Sequence, residues 1–465
     1  MLRSDHRIWQ LSYPLTNEPD SEKRIPVGRL HVRDDNSTTL RPSALESRSG
    51  SLSHNGENSD SKTSRKVKRR TVLAPQPSLW FEYDKAWLSE GFALSHDLPL
   101  KDGPILPQKG KRFFAFLEDV RLDPEVRFLM EDAQEKGVSL DWTLGVKPEE
   151  VAFTSLLEEN SSLGALSAVL EGDVKPLPPA LLAKILSHRP SIPVFQSQGD
   201  ELLYAHHAAE RNRAGKAELE LLLSARTLPG RSPVYSVLVD KRPAVATFGQ
   251  SSEPVHAALW QGFSLETARA VGIRTVTPTL RMLMGEPVLL RSRADRDDAN
   301  RPYAALSAKA LIAPKGSGLR KTITYSDIVD FLTREGAAPK LDLPEVWRRM
   351  AFTLLTGPTG DHPERWLFVR PVGTHSDGWR LAPAHSLTFT SPSLFPRGGM
   401  KLRAGSSRFT TDEAVTYAPY FDLTIQEAKR FVLTVRRRLL DWDADAREYG
   451  IPPREIEAMA DAFED

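Results

Sequence analysis

The chain has 465 residues, a net charge of +1 at neutral pH and no cysteine. That length holds two or three domains, and the balanced charge supplies no global field toward nucleic acid or a membrane surface. Disulfides, thiolate zinc sites and a cysteine nucleophile are all excluded.

Apolar residues at 40% and charged residues at 26% are ordinary for a soluble globular chain. The opening MLRSDHRIWQLSYPL carries charges where a secretory leader needs an apolar run. No stretch approaches the ~18 apolar residues of a membrane span, and the lack of cysteine fits a reducing compartment. The expectation is a cytoplasmic protein.

In chain order, Val27–Val32 alternates as a strand does. Residues 34–78 are rich in Ser, Asn, Asp and Gly and too poor in apolar side chains to offset their ordering entropy, which predicts disorder. This insert closes on SKTSRKVKRR, whose basic run at 65–70 suits either a solvated tail or contacts to a phosphate backbone. Leu79–Tyr83 reads as the returning strand, which makes the insert an enlarged hairpin loop. AWLSEGFALSHDLPL is turn-rich. LDPEVRFLMEDAQEKG is helical, with Asp123 as N-cap, Pro124 at the first position and Gly137 as stop.

From about 220 to 290 the chain is strand-like. Tyr235–Val239 and Pro243–Phe248 form a hairpin through Asp240-Lys241-Arg242, and HAALWQGFSLETARAVG then forms a helix that stops at Gly272. From 300 onward helices dominate. In the last long one Ala428, Phe431, Val432, Val435, Leu439 and Trp442 make one apolar stripe, a core face. A β-rich middle followed by a helical half predicts two lobes with a cleft between them.

Several segments, in order, resemble the HipA family, the serine/threonine kinase toxins of bacterial toxin–antitoxin pairs. They are VGRLHV, FEYDKAWLSEGFALSHDLPL, RPYAALSAKALI, TYSDIVDFL, PEVWRRMAFTLLTG, GWRLAPAHSL and RFTTDEAVTYAPYFDLTIQEA. The resemblance implies an α+β, two-lobed protein-kinase-like fold with a small N-terminal β domain and a mainly helical C-terminal lobe. The implied division has five parts: 1–33, the N-terminal segment and first strand of the β domain; 34–78, the insert; 79–150, the rest of the β domain; 151–270, the N-lobe; 271–465, the C-lobe. It also implies a partner, a HipB-like helix-turn-helix antitoxin or an active relative, with DNA reached through it.

Kinase chemistry needs a strand lysine on the phosphates, a helix glutamate to hold it, a catalytic aspartate, and an asparagine and second aspartate on Mg²⁺. Carried over from the resemblance, these positions hold Thr247, Gln261, Gly360, Arg365 and Ser386. None can do the original work, and Arg365 puts a guanidinium where the cation belongs. PTGDHPERW, Pro358–Trp366, therefore reads as the remains of a catalytic loop, and a pseudokinase that needs neither ATP nor Mg²⁺ is expected.

The phosphate loop falls at Leu228–Ser232. Gly230, Arg231 and Ser232 are its weak nucleotide-binding candidates, because Pro233 removes a backbone donor. Arg231 and Arg365 can still retain an anion in the cleft. The resemblance also implies a regulatory phosphosite in this region, where Thr227 falls and Ser232 lies nearby.

Two readings compete. Asp361, one residue past the lost aspartate, serves as base if the loop is re-threaded, and ATP and Mg²⁺ would then be required. Alternatively Asp361, His362, His375, Asp377 and His385 supply metal ligands, although without motif spacing. No G-x-S-x-G elbow supports a serine hydrolase.

Overall fold

The computed structural model describes residues 5–14, 24–34, 78–109, 111, 113–119, 166–171, 192–225, 234–314, 322–372, 378–395, 399–403 and 409–463. Residues 35–77 of the insert and the predicted helix at 123–137 lie outside them.

The first sheet begins with a strand that sequence reading overlooked, β1 (Asp5–Pro14). Its period-2 signal is present, for Trp9, Leu11 and Tyr13 alternate along it and all are buried. β1 pairs antiparallel with β2 (Arg24–Asp34), which pairs antiparallel with β3 (Ser78–Tyr83). The chain that leaves β2 thus returns alongside it, the hairpin relationship expected across the insert. β4 (Ser167–Glu171) completes the sheet on the other side of β1, in the order β3-β2-β1-β4. This sheet therefore extends past residue 150, where sequence reading drew a boundary.

The segment read as merely turn-rich opens with a short helix, Lys85–Glu90, whose first turn is capped by the Asp84 carboxylate. Trp87, Phe92, Phe114 and Phe116 fill the core against the sheet, with Tyr13 stacked on Trp87 at 5.5 Å between ring centroids. The helix Ala115–Asp119 carries this unit onto the rest of the chain. Asp119 accepts hydrogen bonds from the Ser307 N–H and hydroxyl, both at 2.7 Å.

The second sheet contains β5 (Val234–Val239), β6 (Arg242–Thr247), β7 (Pro278–Leu283) and β8 (Glu286–Ser292), in the order β5-β6-β8-β7. Both hairpins turn in two residues with positive φ: Asp240 and Lys241 at 49° and 64°, Met284 and Gly285 at 48° and 85°. That left-handed pair matches the twist of the flanking strands. Two helices, Phe195–Glu210 and Lys216–Ala225, share a core with this sheet, the second lying in a stretch expected to be strand. The helix Ala257–Ala270 follows β6 and gives way to Gly272 at φ 88°.

The last part combines a small antiparallel sheet with helices. β9 (Ala304–Ser307), β10 (Leu367–Arg370) and β11 (Arg380–Leu381) run in the order β11-β10-β9. The helix Tyr325–Glu335 starts on a Thr324/Asp327 capping box. Pro339–Leu355 is buried over most of its length beyond the exposed first turn, and its Trp347, Met350 and Phe352 are core residues. The C-terminal stripe is split, because the helix Ile425–Arg438 ends at Leu439 and Trp442 opens the next one, Trp442–Glu448. Ala428, Val432 and Val435 are buried as expected, while Trp442 instead stacks on Phe463 at 4.0 Å. Among the described residues, no helix is long and apolar enough to cross a membrane.

Candidate functional site

Alternation along β6 and β8 sorts their side chains between two faces. Ala244, Ala246, Val288 and Leu290 join the core shared with the helices at 195–225. Val245, Thr247, Leu289 and Arg291 therefore point the other way, toward the helix Ala257–Ala270, where Leu289 lies against Gly262. Register sets Val245 opposite Arg291 and Thr247 opposite Leu289. Thr247 and Arg291 are thus diagonal neighbours on one face, within reach of a long side chain.

A hydrogen-bonded chain starts there. The Thr247 hydroxyl donates to Gln261 Oε1 at 3.4 Å and accepts from Arg291 Nη2 at 2.9 Å. Arg291 Nη1 donates to the His385 carbonyl. The Ser386 hydroxyl lies 2.7 Å from His385 Nδ1, and Arg365 Nη1 reaches the Ser386 carbonyl at 3.3 Å. Thr247, Gln261, Ser386 and Arg365 are thereby brought together. Thr247 and Gln261, the residues expected at the lysine and glutamate positions, meet in a neutral contact.

The charge in the cluster is positive. Thr247 and Arg291 are buried, whereas Gln261, Arg365, His385 and Ser386 are only partly covered and form its rim. Burial, then the guanidiniums of Arg291 and Arg349, push the His385 imidazole down to about 3, with Arg365 adding to the effect against Asp295. That ring is neutral at physiological pH. Asp295 is itself engaged bidentately by Arg293, at 2.7 and 2.6 Å. Burial alone lowers Arg291, to about 10, so it keeps its charge at neutral pH.

Gly360 and Asp361 occupy a different setting, the loop after the buried helix Pro339–Leu355. A Cβ on Gly360 would lie 2.2 Å from Thr390 Oγ1, and one on Gly357, at φ +105°, would lie 1.8 Å from the Thr390 carbonyl oxygen. Only glycine fits where the 389–391 segment crosses this loop. Asp361 points into the core with 6% of its surface exposed. It accepts from the Tyr325 hydroxyl at 2.6 Å and from Trp366 Nε1 at 2.9 and 3.0 Å, and burial raises it above the ordinary carboxylate range. His362 is exposed and Glu364 pairs with Lys309 at 2.9 Å.

Residues 261–465 match the family model of the HipA-like C-terminal domain. This stretch, a little under half of the chain, is a HipA-like C-terminal domain. No curated protein sequence matches the chain. Among solved structures it is similar to the Shewanella oneidensis MR-1 toxin–antitoxin complex of HipA, HipB and operator DNA. That likeness covers 83% of this chain and 91% of the other, at 14% identity and a TM-score of 0.52. At that identity the likeness speaks for the fold, which is the two-lobed, kinase-like α/β arrangement of HipA. The Helicobacter pylori proinflammatory kinase CtkA is a remoter likeness, covering 51% of this chain and 88% of that one at 10% identity and a TM-score of 0.31, too low to carry an argument.

On this HipA-like scaffold, Thr227, Gly230, Arg231, Ser232, His375 and Asp377 lie outside the described residues. Of the other metal-ligand candidates, Asp361 is consumed by Tyr325 and Trp366, and His385 sits among arginines. The His/Asp/Glu group whose donor atoms do converge among the described residues is His206, His207 and Glu210. There His206 already uses both ring nitrogens, on the Tyr235 hydroxyl and the Gly249 carbonyl, each at 3.0 Å.

Sequence reasoning missed Arg291. Its signal is an arginine at an inward position of the otherwise apolar strand Val288-Leu289-Leu290-Arg291, visible only once register assigns a face.

Proposed function

We propose that this HipA-like chain is a pseudokinase: it does not transfer phosphate and acts in the cytoplasm by binding a protein partner. The observation that supports this reading is the positive cluster of Arg291 and Arg365, where Arg365 and Ser386 stand at the positions for which the resemblance implies the metal-binding residues of a kinase. Mg²⁺ is held by hard anionic oxygen ligands. Ser386, Arg365 and a neutral His385 do not fit it, so no step through Mg²⁺ is derived.

The loop supports the same conclusion. Thr390 packs where a side chain at 360 would project, and Asp361, the substitute base of an active-kinase reading, is turned into the core with both oxygens bonded. The partner we propose is a HipB-like DNA-binding antitoxin or an active HipA relative. The likeness to a HipA chain crystallised with HipB and operator DNA supports that choice.

The test is calorimetric titration of ATP with and without Mg²⁺, run beside radiolabel transfer, and co-purification with a helix-turn-helix protein encoded alongside. No label transfer and no gain in ATP affinity from Mg²⁺ are expected. Label transfer that disappears in Asp361→Ala would overturn the reading in favour of a re-threaded kinase.

A further inference from the structure

Arg291 is a buried cation whose three donor positions are unequally served. Nη1 and Nη2 donate to neutral oxygens, the His385 carbonyl and the Thr247 hydroxyl. Nε is buried and has no hydrogen-bond partner among the described residues. Among the described residues no carboxylate forms an ion pair with this guanidinium, and burial lowers its pKa. The other deeply buried arginines differ: Arg349 bonds the Glu345 carboxylate at 2.9 Å, and Arg293 holds Asp295. A buried charge without a counter-charge is strongly unfavourable, and chains retain one where something else supplies the opposite sign.

The surroundings suit an anion. His385 Nε2 is a second buried nitrogen with no hydrogen-bond partner among the described residues, in the residue that Arg291 contacts. Arg365 borders the cluster through the Ser386 carbonyl. Gln261, His385, Ser386 and Arg365 around it are only partly covered. A guanidinium presents a planar fork of N–H donors that matches a phosphate-type oxyanion, and it needs no metal to do so.

We propose that Arg291, from strand β8, is the anion-binding residue of this cleft and takes a phosphate-type oxyanion without a divalent cation. The lysine position on β6 is neutral in Thr247, and the positive charge enters instead from the neighbouring strand. The proposal deepens the reading of a cleft that binds without transferring, and it rests on that reading.

The experiment uses the full chain in chelator. Inorganic pyrophosphate and ATP are titrated separately, with sodium chloride matched for ionic strength, and both the melting midpoint and calorimetric affinity are followed. Pyrophosphate is expected to raise the midpoint above the chloride control, and Mg²⁺ to add nothing. Arg291→Met is expected to weaken binding ~10–100-fold, the loss of charge-assisted hydrogen bonds to an anion, with Arg291→Lys in between.

A response to ATP and not to pyrophosphate would assign the site to a nucleotide and support the same anchor, provided Arg291→Met removes it. The proposal is overturned if neither anion acts on the wild-type chain, if the response requires Mg²⁺, or if it persists unchanged in Arg291→Met. Because the wild-type titration stands alone, misfolding of a variant does not rescue it. Failure here leaves the absence of label transfer untouched, whereas label transfer would sink the functional reading whatever the anions do.

Discussion

Placing an aspartate at position 360, where the resemblance implies the catalytic one, is the most direct challenge to this loop, and the packing forecasts its outcome. In Gly360→Asp the new Cβ would sit 2.2 Å from Thr390 Oγ1 and 3.1 Å from Thr390 Cβ. Thr390 has little room to yield: it is 2% exposed, and its backbone N–H is tied to the Thr356 carbonyl at 3.1 Å. Forcing atoms into a packed site costs about 1–3 kcal/mol. For a domain of this size that corresponds to a melting midpoint lower by ~2–12 °C. Trimming the obstacle should return part of it, so Gly360→Asp with Thr390→Ala should melt above Gly360→Asp alone, a positive coupling expected of touching residues. Differential scanning calorimetry on the four proteins of this cycle measures it. If Gly360→Asp melts with the wild type, or if the two substitutions simply add, the steric argument fails and the position is open to a catalytic side chain after all.

Other outcomes follow from buried groups. Asp361→Ala leaves the Tyr325 hydroxyl and the Trp366 indole N–H without their acceptor, each a loss of about 1–3 kcal/mol. Urea denaturation should show it, and a variant as stable as wild type would mean the carboxylate does not hold this core. Asp119 is raised from 3.8 to about 6 by burial, against the hydrogen bonds from Ser307. The folded chain therefore holds this proton more tightly than the unfolded one, and stability falls as pH rises from about 4 to 6. The effect is ~3 kcal/mol in all, at about 1.4 kcal/mol per unit. Asp119→Asn removes the titration, while its amide oxygen can accept from the Ser307 N–H and its amide N–H can donate to the Ser307 hydroxyl, so it should flatten that limb; parallel wild-type and variant curves between pH 4 and 7 would refute the assignment.

The sequence made local turns and faces readable and left long-range partners hidden. Asp240-Lys241 marked a hairpin because few residue pairs enter the left-handed region together, and Gly272 marked a helix end for a related reason. Val27–Val32 and Leu79–Tyr83 were legible as partners although the insert separates them, since both alternate toward one core. β4 was not, because nothing near residue 167 points to β1. The break after Arg438 was missed because no Gly or Pro announces it. At the cleft, resemblance supplied the five altered positions, but their surroundings belong to tertiary structure. Arg291 acquires meaning only from β6–β8 register, and the seclusion of Asp361 depends on Tyr325, 36 positions away.

The helix that carries Gln261 has no side-chain cap of its own at His256. The service comes from Glu455, whose buried carboxylate accepts from the His256 N–H at 2.8 Å and the Trp260 indole at 3.0 Å, across 199 and 195 positions of sequence. During synthesis at ~5–20 residues per second, that helix must wait ~10–40 s for the group that anchors it. The cleft is therefore among the last features a nascent chain can finish, and until Glu455 arrives Trp260 has no acceptor for its indole proton. A ribosome that pauses or aborts in the final helices leaves a molecule with its strands in place and its central helix unmoored.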